Sequence, residues 1–355
     1  MNSLTPFDKE YLVVGCGIAG LLFCEQLLNA GRSFVVIDGH QPSASKVAGG
    51  LYNPVVLKRF KAVWEAKTAL AIAKPVYRRL EDLLQVKWLY EEAIYRRISS
   101  PSEINNWTTA ADEPELETFL SVQFKSNTNP YLKADFGFGE VTEGGRLDIE
   151  NLLDAFKSYL LTEGILIQEN FDYQQLSVHE DRVSYSDRTY KHLVCAEGMG
   201  IAQNPFFNQL PVQANKGEYL KISAPDLKLE AIYKSDIFLI PLGNEQYLVG
   251  ATYNRFDQNP APTEEAKAIL LAKLEALILC DYEVIGQQAG FRPTVPDRRP
   301  IIGTHPQFSM IHVLNGLGSR GVLHGPMMAN MLFNSIEHQM DIPLEMSLMR
   351  YQELF

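Results

Sequence analysis

The sequence predicts an α/β protein of two domains, in which a parallel-sheet domain carries an inserted antiparallel sheet. Three observations support this class. The chain opens on a strand, a glycine-rich turn, a helix and a second strand, and residues 211–250 hold short β-rich runs joined by turn signals. The last segment returns to a strand, a glycine turn and one helix. We therefore expect one discontinuous domain and one inserted domain. The first would comprise residues 1–85, 141–210 and 286–355, and the second residues 86–140 and 211–285.

Length and composition are those of an ordinary globular protein. The chain has 355 residues, of which 46% are hydrophobic and 21% are charged. Lysine and arginine total 32 against 43 acidic residues, and the net charge of −11 argues against broad, nonspecific nucleic-acid binding. The first ten residues are polar, and no apolar run reaches membrane-spanning length. We therefore expect a cytoplasmic protein without a signal peptide.

The four cysteines show no metal-binding spacing. They stand at positions 16, 24, 195 and 280, without a CxxC pair or a Cys/His cluster. Two belong to the opening unit and a third ends an apolar run. We expect buried thiols in a reducing compartment, and no metal site is predicted.

The opening unit has every part of a dinucleotide-binding fold. An apolar run breaks at Gly15, a helical pattern follows, and a second β-rich run ends in Asp38, 18 residues after Gly20. In this GxGxxG turn Gly15 makes the tight turn, Gly17 admits a pyrophosphate, and Gly20 lets helix and strand pack closely. The helix N-terminus can bind the phosphates, and Asp38 can accept from ribose hydroxyls. A Rossmann-type domain is predicted; the acid suits NAD and FAD equally and NADP poorly.

The loop after Asp38 favours FAD over NAD. Residues 39–54 are mostly small, whereas a nicotinamide domain would normally continue with a second helix. Small residues suggest backbone lying against a flat, bulky ligand. The alternative is a surface loop, against which the apolar residues Val47, Leu51 and Val55 argue.

Hydrophobic periodicity and turn residues predict the helices and strands in the middle of the chain. Apolar residues at helical spacing predict a helix over 62–84, kinked or divided at Pro75. A strand pair is expected at 86–98, followed by a polar excursion with a short acidic helix near 113–120. Asp148 is the expected N-cap of the next helix. Short strands are then expected at 165–167, 176–178, 182–185 and 192–196.

Antiparallel strands and two helices complete the prediction. Strands are expected at 217–222, 237–240 and 247–250, with Gly243-Asn244 as a hairpin turn. Thr263 should cap a helix that ends near Cys280, and Pro326 should open the last helix. Before it, Gly316 to Gly321 form a second GxGxxG, although too little chain remains for a second nucleotide domain. Its N–H groups are expected to face an electron-rich ring edge, such as the N1/C2-carbonyl side of a reduced flavin.

Four motifs in this order resemble the D-amino-acid-oxidase/glycine-oxidase superfamily of FAD enzymes. They are the GxGxxG with Asp38, the loop from Ser43-Ala-Ser45 to Ala48-Gly49-Gly50, the segment from Arg292-Pro293 to Pro300-Ile-Ile-Gly303, and the glycine turn before Pro326. The similarity covers nearly the whole chain. It implies a Rossmann-type FAD-binding domain with an inserted antiparallel-sheet substrate domain over the flavin. The FAD would be non-covalent, because no residue matches the cysteine that tethers flavin in sarcosine oxidase relatives.

The resemblance also implies which residues contact the cofactor. The adenosine would lie at the opening turn and the isoalloxazine near residues 48–51 and 318–323. The implied residues are Gly15, Gly17, Ile18, Ala19, Gly20, Asp38, Gly39, Ser45, Lys46, Ala48, Gly49, Gly50, Leu51, Gly198, Gly318, Ser319, Arg320, Gly321, Val322 and Leu323. Lys46 faces either the pyrophosphate or solvent.

The activity implied by the resemblance is oxidation of the C–N bond of a small amine or amino acid. A hydride leaves the carbon next to the amine for flavin N5, and water hydrolyses the resulting imine. Arg292 is the expected clamp for a substrate carboxylate, because a guanidinium is a planar fork. The alternative is a structural ion pair with Asp297. Arg320, which either faces substrate or braces the turn, and Tyr253, which either lines the roof or packs, complete the catalytic candidates.

Two departures from the resemblance concern the substrate. The relatives' substrate-contacting tyrosine matches Phe238 here, and a second carboxylate-binding arginine is replaced by Ser319, with Arg320 one residue further on. The pocket therefore need not accept glycine. His312 and His324 are expected to be structural rather than bases.

Three alternatives remain at this point. Gly49-Gly50-Leu-Tyr-Asn-Pro and Gly318-Ser-Arg-Gly321 most resemble the FAD domain of the bifunctional enzyme that modifies the tRNA wobble uridine. A tRNA partner, with oxidative removal of a carboxymethyl group from an amine, is therefore one alternative. A flavin-binding protein without turnover is another. A plain NAD dehydrogenase would leave the loop at 43–54 and the closing glycine turn unexplained.

Overall fold

The computed structural model describes residues 8–39 and 43–355. Residues 1–7, which contain most of the polar start discussed above, and residues 40–42 of the small-residue loop lie outside the described residues. In the described part no helix is long and apolar enough to cross a membrane. The α-helices are α1 (Ile18–Asn29), α2 (Ala44–Val47), α3 (Ala66–Leu84), α4 (Pro101–Ala111), α5 (Ile149–Thr162), α6 (Glu264–Glu275) and α7 (Gly321–His338).

The strands are numbered in chain order. They are β1 (Lys9–Val14), β2 (Phe34–Ile37), β3 (Leu51–Tyr52), β4 (Val55–Val56), β5 (Lys61–Ala62), β6 (Leu89–Tyr90), β7 (Ile94–Arg97), β8 (Phe138–Val141), β9 (Gly145–Leu147), β10 (Leu166–Ile167), β11 (Leu176–Val178), β12 (Val183–Tyr185), β13 (Arg188–Cys195), β14 (Gln213–Ser223), β15 (Ile232–Lys234), β16 (Phe238–Gly243), β17 (Gln246–Gly250), β18 (Glu283–Thr294), β19 (Ile301–Thr304) and β20 (Ile311–Asn315). Short 3-10 helices occupy Tyr173–Gln175, Gly198–Gln203 and Leu348–Leu354.

The first sheet is built around β1. Strands β2 and β13 flank β1 in parallel, β10 extends the sheet beyond β2, and β20 pairs in parallel with the carboxyl-terminal half of β13. The meander β11–β12 pairs with the other half of β13, and β19 closes the opposite edge on β20. This is the predicted parallel sheet.

Side chains on β1 are buried on both faces, which explains its continuous apolar run. Tyr11 and Val13 contact the core beneath α1, α3, α5 and α7. Leu12 and Val14 contact the core on the other face, which includes Phe207 and the carboxyl-terminal segment.

The second sheet is antiparallel apart from one pair and has the order β18-β14-β17-β16-β15-β7-β8. One face packs on α6 through Leu220, Val249 and Leu270. The fold class is therefore as predicted: a two-domain α/β arrangement with one parallel and one antiparallel sheet. Strand β18 crosses the expected boundary at residues 285 and 286, so Arg292 lies on the antiparallel sheet.

Several element boundaries differ from the prediction. Helix α3 runs unbroken through Pro75, because its buried face packs against α7 and outweighs one lost backbone bond. Residues 113–120 form turns rather than a helix, and the helix of this excursion is α4, capped by Ser100. Helix α6 has the expected Thr263 cap but ends at Glu275. Asp148 precedes α5 without making a side-chain capping bond.

Helix α7 begins at Gly321 rather than at Pro326. A proline inside a helix leaves the carbonyl four residues earlier without its N–H partner. Here that carbonyl belongs to Val322, and the Tyr77 hydroxyl donates to it at 2.7 Å. The helix therefore starts at the last glycine of the second glycine turn.

A histidine pair, with His312 buried and His192 half-buried, crosses the parallel sheet. His192 Nδ1 lies 3.0 Å from His312 Nε2, and His312 Nδ1 lies 2.9 Å from the Thr304 hydroxyl. Burial lowers the pKa of His192 to about 4 and holds the pKa of His312 well below its usual range. Both rings are therefore neutral at pH 7, as expected for structural histidines.

Acidification is expected to destabilise the fold through His192. His192 takes up a proton near pH 6.5 in the unfolded chain but only near pH 4 in the folded chain. Its contribution to the free energy of unfolding is therefore complete above pH 6.5 and is lost as the pH falls. At pH 5 this linkage costs about 2 kcal/mol. Urea unfolding of His192→Gln at pH 7 and pH 5 should show a pH dependence weaker by about that amount. The exposed His179→Gln serves as control, and equal slopes in both variants would contradict the linkage.

Candidate functional site

Four parallel strands end at one edge of the first sheet. The opening glycine turn follows β1, Asp38 follows β2, Gly198 lies just beyond β13, and the closing glycine turn follows β20. In open α/β sheets ligands bind outside the carboxyl ends of the strands. The fold thus brings the two glycine turns, which are some 300 residues apart in sequence, to one edge.

The opening turn is packed too tightly for side chains. Gly15 has a φ of +93°, and a Cβ there would lie 2.6 Å from the carbonyl oxygen of Ala196. A Cβ on Gly20 would lie 1.9 Å from the carbonyl oxygen of Gly15. Strand, turn and helix therefore need glycine at both positions, as the motif predicts.

The N-terminus of α1 remains available to an anion. Gly17 occupies the N-cap position without a capping side chain, and the first turn holds no acidic residue. The Ile18 N–H donates to the Ser45 hydroxyl at 3.0 Å, and a Cβ on Gly17 would lie 3.3 Å from that hydroxyl. These features fit a pyrophosphate, which needs close approach to the backbone and can replace the Ser45 hydroxyl as acceptor of the Ile18 N–H.

Asp38, the expected ribose ligand, is held in place by two contacts. Its Oδ1 accepts from the Cys16 N–H at 2.7 Å, and its Oδ2 pairs with Lys157 Nζ at 2.5 Å. Lys157 lies on α5, and sequence reasoning missed it because a lysine on an amphipathic helix carries no signal of its partner.

The closing turn contacts both sheets and the opening helix. Gly316 and Gly318 have φ values of +72° and +55°, and the Gly318 N–H donates to the Pro293 carbonyl at 2.9 Å. A Cβ on Gly321 would lie 3.1 Å from Ile18 Cγ2. The two turns are therefore neighbours, with the starts of α1 and α7 side by side.

Arg320 stands at the N-cap position of α7. Its guanidinium belongs to no ion pair among residues 8–39 and 43–355. Burial, and then the charge of Arg298, lower the pKa of Arg320. A half-buried cation without an anion beside a helix N-terminus makes this edge electropositive.

The loop between the turns meets the antiparallel sheet at Gly49. A Cβ there would lie 2.8 Å from Ile240 and 3.3 Å from the Tyr219 hydroxyl. Gly50 has a φ of +67°, and its carbonyl accepts from the Leu147 N–H at 2.9 Å. The loop of small residues, which we expect to lie against a flat ligand, is thus placed under the second sheet.

The other residues implied by the resemblance are distributed around this edge. Lys46 pairs with Asp154 in an exposed ion pair. A Cβ on Gly39 would collide with the Asn170 side chain, whereas one on Gly198 would meet nothing within 4 Å. Ala19, Val322 and Leu323 are buried, Leu51 is half-buried, Ala48 lines a cavity, and Ser319 is exposed.

Arg292 lies on the sheet face that looks toward Gly49. It pairs with Asn215 across β18 and β14, and its guanidinium covers Gly217, where a Cβ would lie 2.0 Å from Nη2. Nη1 makes only long bonds, at 3.4 Å to Asn215 Oδ1 and 3.3 Å to the Thr252 carbonyl.

The ion pair between Arg292 and Asp297, the alternative considered from the sequence, does not form. Asp297 pairs with Arg350 at 3.0 Å instead, and no carboxylate of the described residues pairs with Arg292. The buried Asn215 Nδ2 beside it has no hydrogen-bond partner in this part of the chain. Two adjacent groups therefore have donors available for an anion.

Tyr219 is a candidate that sequence reasoning missed. In register, Phe238, Gly250, Tyr219 and Gln288 form one row across four strands and share the face that carries Arg292. The Tyr219 ring fills the space over Gly250, where a Cβ would lie 2.2 Å from Cδ1. Tyr219 thus supplies a hydroxyl in the same row as Phe238, which replaces the relatives' tyrosine and has none.

The remaining tyrosines and His324 have other positions. Tyr253 is 57% exposed and its ring lies beside Arg255, although the adjoining Thr252 contacts Arg292. Tyr247 packs in the core under α6, and the Tyr52 hydroxyl donates to a backbone carbonyl. Burial lowers the pKa of His324 to about 4, and its Nε2 is bonded to the Trp64 carbonyl at 2.8 Å, so the ring is neutral.

Comparison with known proteins agrees with this geometry. The family profile DAO, described as FAD dependent oxidoreductase, matches residues 10–334. The uncharacterized oxidoreductase YurR of Bacillus subtilis (strain 168) is 23% identical over 363 residues, which cover 90% of this chain and 92% of YurR. The bifunctional protein ThiO/ThiG of Nostoc sp. is 29% identical over 95% of this chain and 54% of its own length.

Two further kinds of similarity were found. The bifunctional tRNA 5-methylaminomethyl-2-thiouridine biosynthesis protein MnmC of Burkholderia mallei is 22% identical over 83% of this chain and 48% of its own length. The chain thus spans about half the length of both bifunctional relatives. Glycine oxidase from Bacillus cereus has the same fold, with a TM-score of 0.77 at 20% identity over 94% of this chain and 96% of that enzyme.

Iminodiacetate oxidase (IdaA) from Chelativorans sp. also shares the fold, with a TM-score of 0.78 at 18% identity over 95% of this chain and 98% of that enzyme. The profile match covers most of the chain and includes both glycine turns. The chain therefore belongs to the DAO family of FAD-dependent oxidoreductases, with FAD as its cofactor.

Proposed function

We propose that this enzyme oxidises the C–N bond of a small amine or amino acid that carries a carboxylate. The observation that carries the proposal is Arg292, a half-buried guanidinium without an acidic partner among residues 8–39 and 43–355. It lies on the sheet face opposite Gly49, beside the Asn215 Nδ2, which has no hydrogen-bond partner among the described residues. We also propose that the antiparallel sheet is the substrate domain and that FAD is bound without a covalent link.

The cofactor contacts of the proposal follow the sheet edge. Gly15, Gly17 and Gly20 shape the pyrophosphate cradle, and Asp38 faces the adenosine ribose. The ring would lie between the loop at Gly49 and the closing turn at Gly318. When bound, FAD supplies a hydride acceptor at flavin N5.

Substrate orientation is assigned to the second sheet. The fork of Arg292 and the Asn215 amide bind the carboxylate. Tyr219 is two residues beyond Gly217, roughly 7 Å along the strand, so its hydroxyl can reach the amine end of the same small molecule. Tyr253 would then border the entrance rather than contact the reacting carbon.

No described histidine is required as a base. The amine is bound in its neutral form. Loss of a hydride from the carbon next to the nitrogen converts the C–N bond to an imine, which water then hydrolyses. His324 is neutral and its Nε2 is already bonded to the Trp64 carbonyl. The protein's part is to bind, orient and exclude water.

The loop that contacts Arg292 is fixed by a buried charge network. Lys216 Nζ pairs with Glu218 at 3.3 Å and with Asp257 at 2.8 Å. Glu218 also accepts from the Thr263 N–H and hydroxyl, both at 2.8 Å. The segment from Thr252 to Thr263 is thus tied to β14 at Asp257 and Thr263, which holds the carbonyl beneath Arg292 in place.

A substrate panel tests the proposal. FAD-loaded protein is mixed under anaerobic conditions with N-substituted glycines, D-amino acids and L-amino acids, and bleaching of the flavin absorbance is followed. We expect reduction by at least one compound that carries both an amine and a carboxylate. Absence of reduction across the panel would favour a flavin protein without turnover.

A second candidate function is oxidation of a carboxymethylaminomethyl group on a tRNA wobble uridine. It is favoured by the Gly318-Ser-Arg-Gly321 segment and by the similarity to MnmC over 83% of this chain. Mass spectrometry of wobble uridines from a deletion strain separates the two functions. Accumulation of the carboxymethylated base would support the tRNA substrate, and an unchanged base composition would exclude it.

Replacement of Tyr219 by phenylalanine is expected to lower kcat/KM by about tenfold, because one hydrogen bond to a polar substrate group is lost at about 1.5 kcal/mol. Steady-state kinetics with the best substrate measure the loss. Tyr247→Phe is the matched control, since Tyr247 lies on the opposite face of the same sheet. Equal kinetics in wild type and Tyr219→Phe would remove Tyr219 from the substrate site.

A further inference from the structure

A polar cavity, the one that Ala48 lines, lies at the junction of α2, α5 and the antiparallel sheet. Its walls include Lys46, Gly49, Arg146, Lys221 and Gln288. Lys221 is four residues beyond Gly217 on β14, roughly 13 Å along the strand from the place where Arg292 lies. The cavity is therefore distinct from the proposed carboxylate clamp.

Arg146 is the unusual residue of this cavity. It lies on β9 between Leu51 and Tyr90 of the neighbouring strands, and it is only 8% exposed. The guanidinium carbon lies 4.7 Å from the centroid of the Tyr90 ring. Its buried Nε has no hydrogen-bond partner, and no ion pair of the described residues includes it. A buried cation without an anion is strongly unfavourable, which indicates a missing anionic partner.

The N-terminus of α5 adds a second source of positive potential. The helix has 14 residues, and Asp148 at its N-cap position makes no capping bond. The Asp148 carboxylate instead accepts from the Asn151 side chain at 3.0 Å. First-turn N–H groups of α5 therefore remain available beside Arg146, in the arrangement that binds anions at helix N-termini.

No carboxylate of the described residues forms an ion pair with Arg146. Lys46 and Lys221 add positive charge, although Lys46 is shared with Asp154. Two carboxylates, Asp148 and Glu150, also line the cavity. Glu150 is exposed on the helix surface, and Asp148 accepts from the Asn151 side chain. Glu92 has a buried carboxylate oxygen without a partner among the described residues. Burial raises the pKa of Glu92 and the charge of Arg146 partly opposes this, but the two groups make no ion pair within 4.0 Å.

We propose that this cavity binds a small oxyanion, a carboxylate or a phosphate. Arg146 is its principal ligand, and the N-terminus of α5 contributes backbone N–H groups. The planar fork of a guanidinium matches the paired oxygens of either group. The site is independent of the proposed substrate clamp, because none of its ligands contacts Arg292 or Asn215.

Thermal denaturation of the FAD-loaded protein tests the site. Inorganic phosphate and acetate are titrated separately, with sodium chloride keeping the ionic strength constant. We expect a saturable rise in the melting temperature of the wild type with at least one of them. Tighter binding of phosphate would assign the site to phosphates, and equal or tighter binding of acetate would assign it to carboxylates.

Variants distinguish this site from a general salt effect. Arg146→Gln should weaken binding by at least about tenfold, the loss expected for charged hydrogen bonds. Glu92→Gln should retain or strengthen binding, whereas a structural Arg146–Glu92 pair would make both variants equally unstable and equally indifferent to anions. If Arg146→Gln does not fold, Arg146→Lys and Lys221→Met replace it and should each weaken binding. Equal responses of wild type and these variants, or no saturable response, would overturn the proposal.

Discussion

Replacement of Arg292 by alanine is expected to lower kcat/KM by at least about a hundredfold for an amine substrate that carries a carboxylate. Two hydrogen bonds to a charged group are lost, each of about 1.5–3 kcal/mol, and 1.4 kcal/mol corresponds to a factor of ten. Arg292→Lys should recover only part of the loss, because an ammonium cannot make the bidentate contact. Steady-state kinetics on FAD-saturated enzyme measure both effects.

The substrate itself supplies the control for this prediction. The amide analogue of the same substrate has no carboxylate, so its much slower oxidation should change little between wild type and Arg292→Ala. FAD content and melting temperature should also stay close to those of the wild type, since Arg292 makes only two long bonds. A loss of equal size for acid and amide, or a loss of bound FAD, would mean that Arg292 is structural.

Replacement of Gly17 by valine is expected to weaken FAD binding by at least about a hundredfold. The added side chain would enter the space that we propose for the pyrophosphate at the N-terminus of α1. Loss of two charge-assisted hydrogen bonds at about 1.5 kcal/mol or more each gives this factor. Titration of the apo-protein with FAD, followed by flavin fluorescence, measures the affinity.

The fold should survive the change at Gly17. Its φ of −78° is ordinary, and the nearest atom to an added Cβ is the Ser45 hydroxyl at 3.3 Å, which can rotate away. Gly286→Val is the matched control, since a Cβ there would lie 3.7 Å from Lys221 Cβ. Retained circular dichroism with lost FAD is expected for Gly17→Val alone. Normal FAD affinity in that variant would place the pyrophosphate elsewhere.

The opening unit could be predicted because each of its residues acts locally. Gly15 and Gly20 are required by contacts within one strand, one turn and one helix, and these contacts are encoded in the spacing of the motif. The same holds for the Thr263 cap, which depends on a hydroxyl and an N–H three residues away. Such features need no knowledge of the remaining chain.

The start of α7 could not be predicted in this way. Pro326 suggested that the helix begins there, since proline is favoured in a first turn. The structure extends the helix back to Gly321 because Tyr77, from a helix almost 250 residues earlier, satisfies the carbonyl that the proline leaves free. No local pattern reveals that contact.

Tyr219 and Arg146 were missed for related reasons. Tyr219 reaches the face that carries Arg292 only through the register of β14 with its neighbours and through the absence of a side chain at Gly250. Arg146 follows two glycines in the sequence, where an exposed turn is the ordinary expectation, yet pairing on both sides buries it. Register and burial are properties of the folded sheets rather than of the local sequence.

A crystal structure with FAD bound tests the central claim most directly. That claim is that the opening and closing glycine turns hold opposite ends of one cofactor. We predict the pyrophosphate within about 3 Å of the N–H groups at Gly17 and Ile18. The isoalloxazine should lie between Gly49 and Gly318, with Arg292 above it. An isoalloxazine outside the closing turn, or a pyrophosphate away from the start of α1, would contradict the account.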